Sequence, residues 1–157
     1  RNMNGKIRYY RENIFKSTGK SFIATKVDIK TRTVFEYDNK PAAEVIAKAL
    51  NTTVEDLPKY SDSYPMARVI GNQRYITANC SVNDNNSLVY FARVYNNSKM
   101  ELFEPDDYRA VTDQTLSKIK EDVPNPQLCF VVQCVGRTLL YEVLSCKQQY
   151  KYLCCCK

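Results

Sequence analysis

The sequence LCFVVQCVGR, residues 128–137, is the longest nearly unbroken apolar run of the chain. Pro124 and Pro126 precede this run, and Gly136 lies close to its end. A short run that is apolar on both faces, with β-branched residues at its centre, is typical of a strand buried on both sides of a sheet. The run therefore predicts the central strand of a sheet, on which the amphipathic segments around it pack.

Two segments near the N-terminus predict a hairpin that leads into a helix. The β-rich runs 21–28 and 31–37 are separated by only two residues, which favours a tight connection. Pro41 stands at a first helical position, where the missing N–H of proline costs nothing. The apolar residues of 41–50 then recur at the spacing of an amphipathic helix.

The region 66–103 predicts four strands in an antiparallel meander. Gly71 and Asn72 suit a tight turn between the first two strands. In the third strand, Leu88 and Tyr90 belong to an apolar set on alternate residues, which indicates one firmly buried face. The four predicted strands are Met66–Ile70, Gln73–Thr77, 87–95 and 99–103.

Two further helices complete the predicted order. The segment 105–122 begins with a helix-compatible proline and two carboxylates, Asp106 and Asp107, which favour the dipole at a helix N-terminus. The segment 138–153 carries apolar residues at helical spacing. The order is hairpin, helix, four-strand meander, helix, buried strand and helix. The predicted class is α+β with a mainly antiparallel sheet.

The length and the charge pattern predict one domain without a membrane span or a nucleic-acid surface. A chain of 157 residues fits one compact domain. We assign residues 1–20 to a linker or arm, 21–153 to a single α+β domain and 154–157 to a cysteine-rich tail. Acidic and basic residues alternate along most of the chain, so the net charge of +6 is spread out. Tyr9 and Tyr10 lie between arginines, but a solvated linker is the preferred interpretation over nucleic-acid stacking.

The seven cysteines predict reduced thiols in a cytoplasmic protein. Their number is odd, and the first residues lack the apolar centre of a signal peptide. Cys129 and Cys134 lie inside the apolar run, where we expect them to be small buried hydrophobic residues. Cys154, Cys155 and Cys156 leave open a redox or metal switch. No metal site is predicted, because tetrahedral sites draw ligands from separated elements and the chain has no histidine or C-x-x-C pair.

The residue content predicts that the chain is not an enzyme and holds no cofactor. The absence of histidine excludes serine–histidine, cysteine–histidine and histidine-ligated zinc sites within this chain. No Gly-rich nucleotide-binding pattern occurs among the four glycines. The adjacent carboxylates all lie at predicted helix ends, where capping and solvation explain them.

Gly136 and Arg137 form the best candidate ligand site. They follow a predicted strand and precede a helix, whose N-terminal N–H groups can bind an anion. A guanidinium can add a bidentate contact to a carboxylate. Cys134 lies beside them, and a reactive thiol and core packing are its alternative roles. The predicted ligand-binding residues are therefore Cys134, Gly136 and Arg137, with an amino acid or small carboxylate as the ligand. The alternative is that Arg137 pairs with a surface carboxylate.

Four segments, taken in order, resemble one known family. Residues 37–42 resemble its Y-x-x-x-P-A lead into a helix, and 64–77 resemble its Y-P-L motif and hairpin. Residues 83–104 resemble its D-G-S-L-x-F and V-x-L strands, and 134–137 resemble its S-C-x-G-R segment. Residues 22–140 thus resemble the C-terminal part of FIST sensory domains, which occur in bacterial signal-transduction proteins.

The resemblance implies non-enzymatic sensing of small ligands, with amino acids suggested. It implies two further partners, which are the N-terminal half of the FIST module and a downstream signalling domain or protein. Family members usually continue past the last helix into two strands, whereas this sequence ends in LCCCK. Two other hypotheses stay open: a protein interaction or scaffold domain that uses a sheet edge or the tyrosine-rich arm, and the cysteine-based switch.

Overall fold

The computed structural model describes residues 7–145. Eight strands form one sheet in the order β5-β4-β8-β1-β2-β7-β6, with β3 paired to β2, and every pair is antiparallel. The α+β class with a mainly antiparallel sheet is confirmed. The strands are β1 Phe15–Asp28, β2 Thr33–Tyr37, β3 Lys40–Pro41, β4 Met66–Ile70, β5 Gln73–Thr77, β6 Asn79–Val82, β7 Leu88–Tyr90 and β8 Ser98–Pro105. The helices are α1 Ala42–Leu50, α2 Tyr108–Asp122 and α3 Val135–Val143, with a 3-10 turn at Leu57–Tyr60.

The long strand β1 organises the sheet, because it pairs with β2 on one side and with β8 on the other. It begins at Phe15, inside the segment expected to be an arm, rather than at residue 21. Ser17 pairs with Phe103 and Ser21 pairs with Glu101, so β1 advances four residues where β8 advances only two. The extra residues of β1 form a bulge. Gly19 supplies the left-handed backbone of the bulge, with φ of 78°.

The main core lies between the sheet and α1. The buried face of α1 consists of small side chains and Ile46, so the helix lies close to the sheet. Asn51 ends α1 in the left-handed conformation typical of a helix C-terminus. Tyr37 and Tyr90 are fully buried, and their hydroxyl groups are 2.9 Å apart. The hydroxyl groups of these two tyrosines therefore form a hydrogen bond inside the core.

A second, smaller cluster joins α2 and α3 to the segment before β1. Ile14, Leu140 and Tyr141 are buried there, and the rings of Tyr108 and Tyr141 lie 5.1 Å apart. Asp107 caps α2, since its carboxylate accepts hydrogen bonds from two backbone N–H groups of the first turn. The cluster thus attaches both C-terminal helices to the start of β1 and the segment before it.

The prediction of a buried central strand is wrong. Residues 124–134 form no strand, and Leu128, Phe130 and Val132 are more than 80% exposed, at 83%, 86% and 81%. Cys129 and Cys134, expected in the core, are exposed as well. An apolar run signals that burial would be favourable, but it does not supply a neighbouring strand. The central positions of this sheet are filled by β1 and β8, which pair with each other along most of their lengths.

The prediction of a four-strand meander is also wrong. The hairpin β4–β5 forms as expected, but β7 pairs with β2 and β6, whereas β8 pairs with β1 and β4. The β1–β2 hairpin therefore lies between β7 and β8. The predicted strand 87–95 is paired only at Leu88–Tyr90, and the following residues cross to the other half of the sheet.

The last helix begins at Val135, three residues earlier than predicted. It ends at Val143, so the predicted helix is wrong at 144 and 145, and its predicted part from 146 to 153 lies outside the described residues. The proposed switch at Cys154, Cys155 and Cys156 lies outside them too. No helix between residues 7 and 145 is both long and apolar enough to cross a membrane.

Candidate functional site

The three residues predicted to bind a ligand lie together at the start of α3. The carbonyl oxygen of Cys134 accepts hydrogen bonds from the backbone N–H groups of Arg137 and Thr138, at 3.2 and 3.3 Å. Cys134 is exposed, and Gly136 is half-buried. The three residues thus surround one helix N-terminus, although the strand expected before it is absent.

The guanidinium of Arg137 already has an acidic partner. Its Nη1 lies 2.5 Å from Oε1 of Glu12, and its Nη2 donates to the Glu12 carbonyl oxygen at 3.2 Å. Both side chains are largely buried, at 17% and 13% exposure. Thr112 of α2 donates to the same carboxylate oxygen at 3.3 Å. A ligand carboxylate at Arg137 would therefore have to replace Glu12 or share the guanidinium with it.

A second concave site lies beside the bulge of β1. This bulge cleft has a volume of about 370 Å³ and lies where β1, the end of α1, the 3-10 turn and β8 meet. Such a volume falls within the range of small-molecule sites. Its lining residues are Ser17, Thr18, Lys20, Ala49, Leu50, Tyr60, Tyr64, Leu102 and Glu104.

Hydroxyl groups hold the bulge in shape. The Thr18 hydroxyl donates to the Leu102 carbonyl oxygen at 2.8 Å, which ties β1 to β8 where their backbone pairing is interrupted. Ser17 accepts the N–H of Gly19 at 3.0 Å and donates to the Glu101 carboxylate. That hydroxyl, followed by the nearby Arg74, lowers the pKa of Glu101. The backbone that lines the bulge cleft is therefore fixed at several points.

Two tyrosines form the aromatic side of the bulge cleft. The rings of Tyr60 and Tyr64 are 5.8 Å apart and tilted by 58°. The N–H of Tyr64 donates to the carbonyl oxygen of Tyr60 at 2.8 Å, so one turn of backbone sets their spacing. Both side chains are half-buried. Their ring faces can attract a cationic group.

The bulge cleft also has one charge of each sign. Lys20 donates from Nζ to the Ala49 carbonyl oxygen, at 2.5 Å, near the C-terminus of α1. The Glu104 carboxylate lies 3.8 Å from Nζ of Lys16, and its side chain is 40% exposed. An ammonium, a carboxylate and two aromatic rings are the groups needed to orient a small molecule that carries both charges.

Sequence interpretation missed this cleft for two reasons. Lys20 lay in the segment assigned to an arm, and Glu104 lay between the predicted strand 99–103 and the helix predicted from residue 105. The signals that point to the cleft are Gly19 within a β-rich run and the spacing of Tyr60 and Tyr64 over one turn. Neither signal shows which distant segments meet.

A further concavity is less suited to a ligand. It is a shallow depression of about 610 Å³ on the polar side of α2, lined by Asp113, Gln114, Ser117, Lys118, Glu121 and Asp122. These residues all belong to one helix and include no aromatic ring, so a solvated helix face explains them. Among residues 7–145, no group of three or more acidic or cysteine side chains is placed to hold a metal ion.

Comparison with known proteins gives one match. The family model described as the FIST C domain matches residues 42–153, which is more than two thirds of the chain. No curated protein matches the chain, and no solved structure matches it.

Proposed function

This chain belongs to the FIST C domain family, and we propose that it is a non-enzymatic module that binds a small ligand, such as an amino acid, for a signalling protein. FIST C domains are sensory signal-transduction domains and are not a known enzyme family. The ligand and its binding residues are the parts that we propose here. We propose further that the module works in the bacterial cytoplasm and passes its signal to a downstream domain or protein.

The observation that carries the proposal is the combination of groups in the bulge cleft. An amino acid has a carboxylate and an ammonium group on one carbon atom. We propose that Lys20 contacts the carboxylate, and that Glu104 and the rings of Tyr60 and Tyr64 receive the ammonium group. The apolar side chain of Leu50 lines the same cleft, where it can contact the side chain of the ligand. The cleft therefore suits a zwitterion better than a plain anion.

The start of α3 is the second candidate site. Cys134, Gly136 and Arg137 provide a helix N-terminus and a guanidinium, which together favour a carboxylate. The competing carboxylate of Glu12 means that a ligand there has to displace a contact within the protein. Such binding would loosen the segment before β1 from α3, which offers a route for a signal. The two candidate sites make different predictions for variants.

The test is the thermal stability of the reduced protein against a panel of amino acids and small carboxylates. A ligand at about a hundred times its dissociation constant adds roughly 2.7 kcal/mol to the free energy of unfolding. For a chain of this size the midpoint should rise by roughly 5–10 °C. A panel without any shift contradicts small-ligand binding by this chain.

Variants then separate the two sites. If the bulge cleft is the site, Lys20→Met abolishes the ligand-induced shift and Arg137→Ala keeps it. If the start of α3 is the site, the pattern is reversed. Lys26→Met is the matched control, because Lys26 lies on the same strand and pairs with Glu36 outside the cleft. Each shift is compared with the melting temperature of the same variant without ligand. A ligand shift that survives in both variants contradicts both assignments.

A further inference from the structure

The buried apolar side chains between residues 7 and 145 form two separate clusters. The main cluster lies within residues 22–102. The smaller cluster consists of Ile14, Phe15, Tyr108, Val111, Leu140 and Tyr141. Among the described residues, the two clusters have no member in common. The long strand β1 contributes Phe15 to the smaller cluster and Phe22 to the main one, and its bulge lies between these two residues.

The smaller cluster lies beyond one end of the sheet. Phe15 and Pro105 are the outermost paired residues of β1 and β8. Beyond this pair, the chain continues as residues 10–14 on one side, which we name the strap, and as α2 on the other. Residues 124–134, which lead from α2 to α3, are exposed and form no strand. Strand pairing therefore stops where the strap and α2 begin.

Two side chains of the strap bind the C-terminal helices. The hydroxyl of Tyr10 donates to the carboxylate of Asp122, at the end of α2, at 2.9 Å. The carboxylate of Glu12 accepts a hydrogen bond from Thr112 of α2 and forms the ion pair with Arg137 of α3. One carboxylate of the strap therefore holds both helices.

Two other residues of the strap bind the sheet. Arg11 donates to the carbonyl oxygen of Arg74 in β5 at 2.8 Å, and its guanidinium carbon lies 5.0 Å from the centre of the Tyr75 ring. The carbonyl oxygen of Ile14 accepts the N–H of Asp106 at 2.9 Å, one residue past the end of β8. The strap therefore contacts the sheet as well as both helices, and its detachment would break contacts to all of them.

We propose that the strap is a releasable contact, and that its detachment lets α2 and α3 open together while the sheet and α1 stay folded. Proteins open in contiguous units, and a unit with few buried apolar contacts opens at a lower free energy than the core. Among the described residues, the smaller cluster has three buried members, whereas the main cluster has fourteen. The main cluster includes no residue of the strap, α2 or α3, so it loses no apolar contact of its own when they open.

The opening supplies a second conformation that a signalling partner could distinguish from the closed one. The bulge of β1, which lines the bulge cleft, lies directly between the strap and the main cluster. The use of the opening as a signal rests on the proposed function. The opening itself requires no ligand, so it is tested on the protein alone, and its failure is distinct from a failure of the ligand panel.

Native-state hydrogen exchange of the full chain, read by mass spectrometry of its peptides, tests the two units in the wild type. The amides of α2 and α3 should share one protection factor, at least about ten-fold lower than that of β2 and β8. Helices that are as protected as β2 and β8 overturn the proposal, because they belong to the same cooperative unit as the core. Helices without any protection also overturn it, because the strap then holds no closed state.

Two variants of similar expected cost then separate the strap from the main core. Glu12→Gln weakens the contact to Arg137 and should lower the protection of α2 and α3 by the same factor, at least about five-fold. Tyr37→Phe is the matched control, because Tyr37 belongs to the main cluster and loses its hydrogen bond to Tyr90. This control should lower the protection of β2 and β8 by a similar factor and leave α2 and α3 unchanged, since the helices open without unfolding of the core.

Matching far-ultraviolet spectra check that both variants are folded, and the wild-type measurement stands without them. A Tyr37→Phe variant whose helices lose as much protection as β2 overturns the proposal, because one unit then unfolds as a whole. A Glu12→Gln variant with unchanged protection in both helices overturns the role of the strap. A Glu12→Gln variant in which only one helix loses protection overturns the joint opening of α2 and α3.

Discussion

The two buried tyrosine hydroxyls allow a quantitative test of the main core. Tyr37 of β2 donates to the hydroxyl of Tyr90 of β7 at 2.9 Å, and neither residue has any exposed area. Replacing either tyrosine by phenylalanine removes one oxygen and leaves the other hydroxyl buried without this partner. Replacing both removes the pair and leaves the two rings in place. The perturbation therefore changes hydrogen bonding with very little change in packed volume.

The expected effects are not additive. A buried polar group that loses its partner costs about 1–3 kcal/mol, whereas removal of both partners with the shape conserved is nearly neutral. Each single variant, Tyr37→Phe or Tyr90→Phe, should therefore lower the free energy of unfolding by about 1–3 kcal/mol. The double variant should lose less than the sum, with a coupling of about 1–2 kcal/mol. For a chain of this length, each single variant should melt roughly 3–10 °C below the wild type.

Urea unfolding followed by circular dichroism measures these differences, since all four proteins should share the same slope with denaturant. Tyr95→Phe is the control, because its side chain is 43% exposed and its change should stay within about 0.5 kcal/mol. Single variants as stable as the wild type, or losses that simply add in the double variant, refute the argument. Either result means that the hydroxyls do not form the contact seen in the core.

Three further predictions concern the same fold. Burial raises the pKa of both Tyr37 and Tyr90. Their contribution to stability is therefore complete below the unfolded pKa of about 10 and is lost as the pH rises above that value. Urea midpoints measured from about pH 8 to pH 12 should fall steeply at the highest pH values, and less steeply in the double phenylalanine variant. Asp107→Ala removes the cap of α2 and should lower the free energy of unfolding by about 1 kcal/mol, which a thermal melt can detect; an unchanged melt contradicts the capping role. Glu12→Gln and Arg137→Ala should each cost about 1–3 kcal/mol and show coupling in the double variant, because the pair is mostly shielded from water; additive losses in urea unfolding contradict this contact.

Local chemistry was sufficient to predict several elements. The turn residues Gly71 and Asn72 predicted the β4–β5 hairpin, in which Ile70 pairs with Gln73. Pro41 predicted the start of α1 to within one residue, since it occupies the cap position before Ala42 and not the first helical position. Asp107 was expected to favour the start of α2 and caps it. In each case the turn or cap depends on residues that are adjacent in the chain, so the sequence alone is sufficient to predict it.

The ligand site is less accessible to sequence interpretation. Lys20, Tyr60 and Glu104 come from three distant segments, and they line one cleft beside the bulge of β1. Arg137 was singled out from its neighbours along the chain, but its partner Glu12 lies 125 residues away. The residues next to Arg137 in the sequence identify it as able to bind an anion. They give no information about which distant carboxylate pairs with it.

The sequence by itself determined the fold class, the local turns and caps, and the absence of histidine chemistry, because each depends on residue content or on contacts a few residues apart. Only the tertiary structure decided which strands pair and which apolar segments are covered. The β1–β2 hairpin separates β7 from β8, and the run at 128–132 is left exposed. Hydrophobicity measures how much a segment gains from burial, whereas burial itself requires a partner, and the partner is set by contacts far apart in the chain.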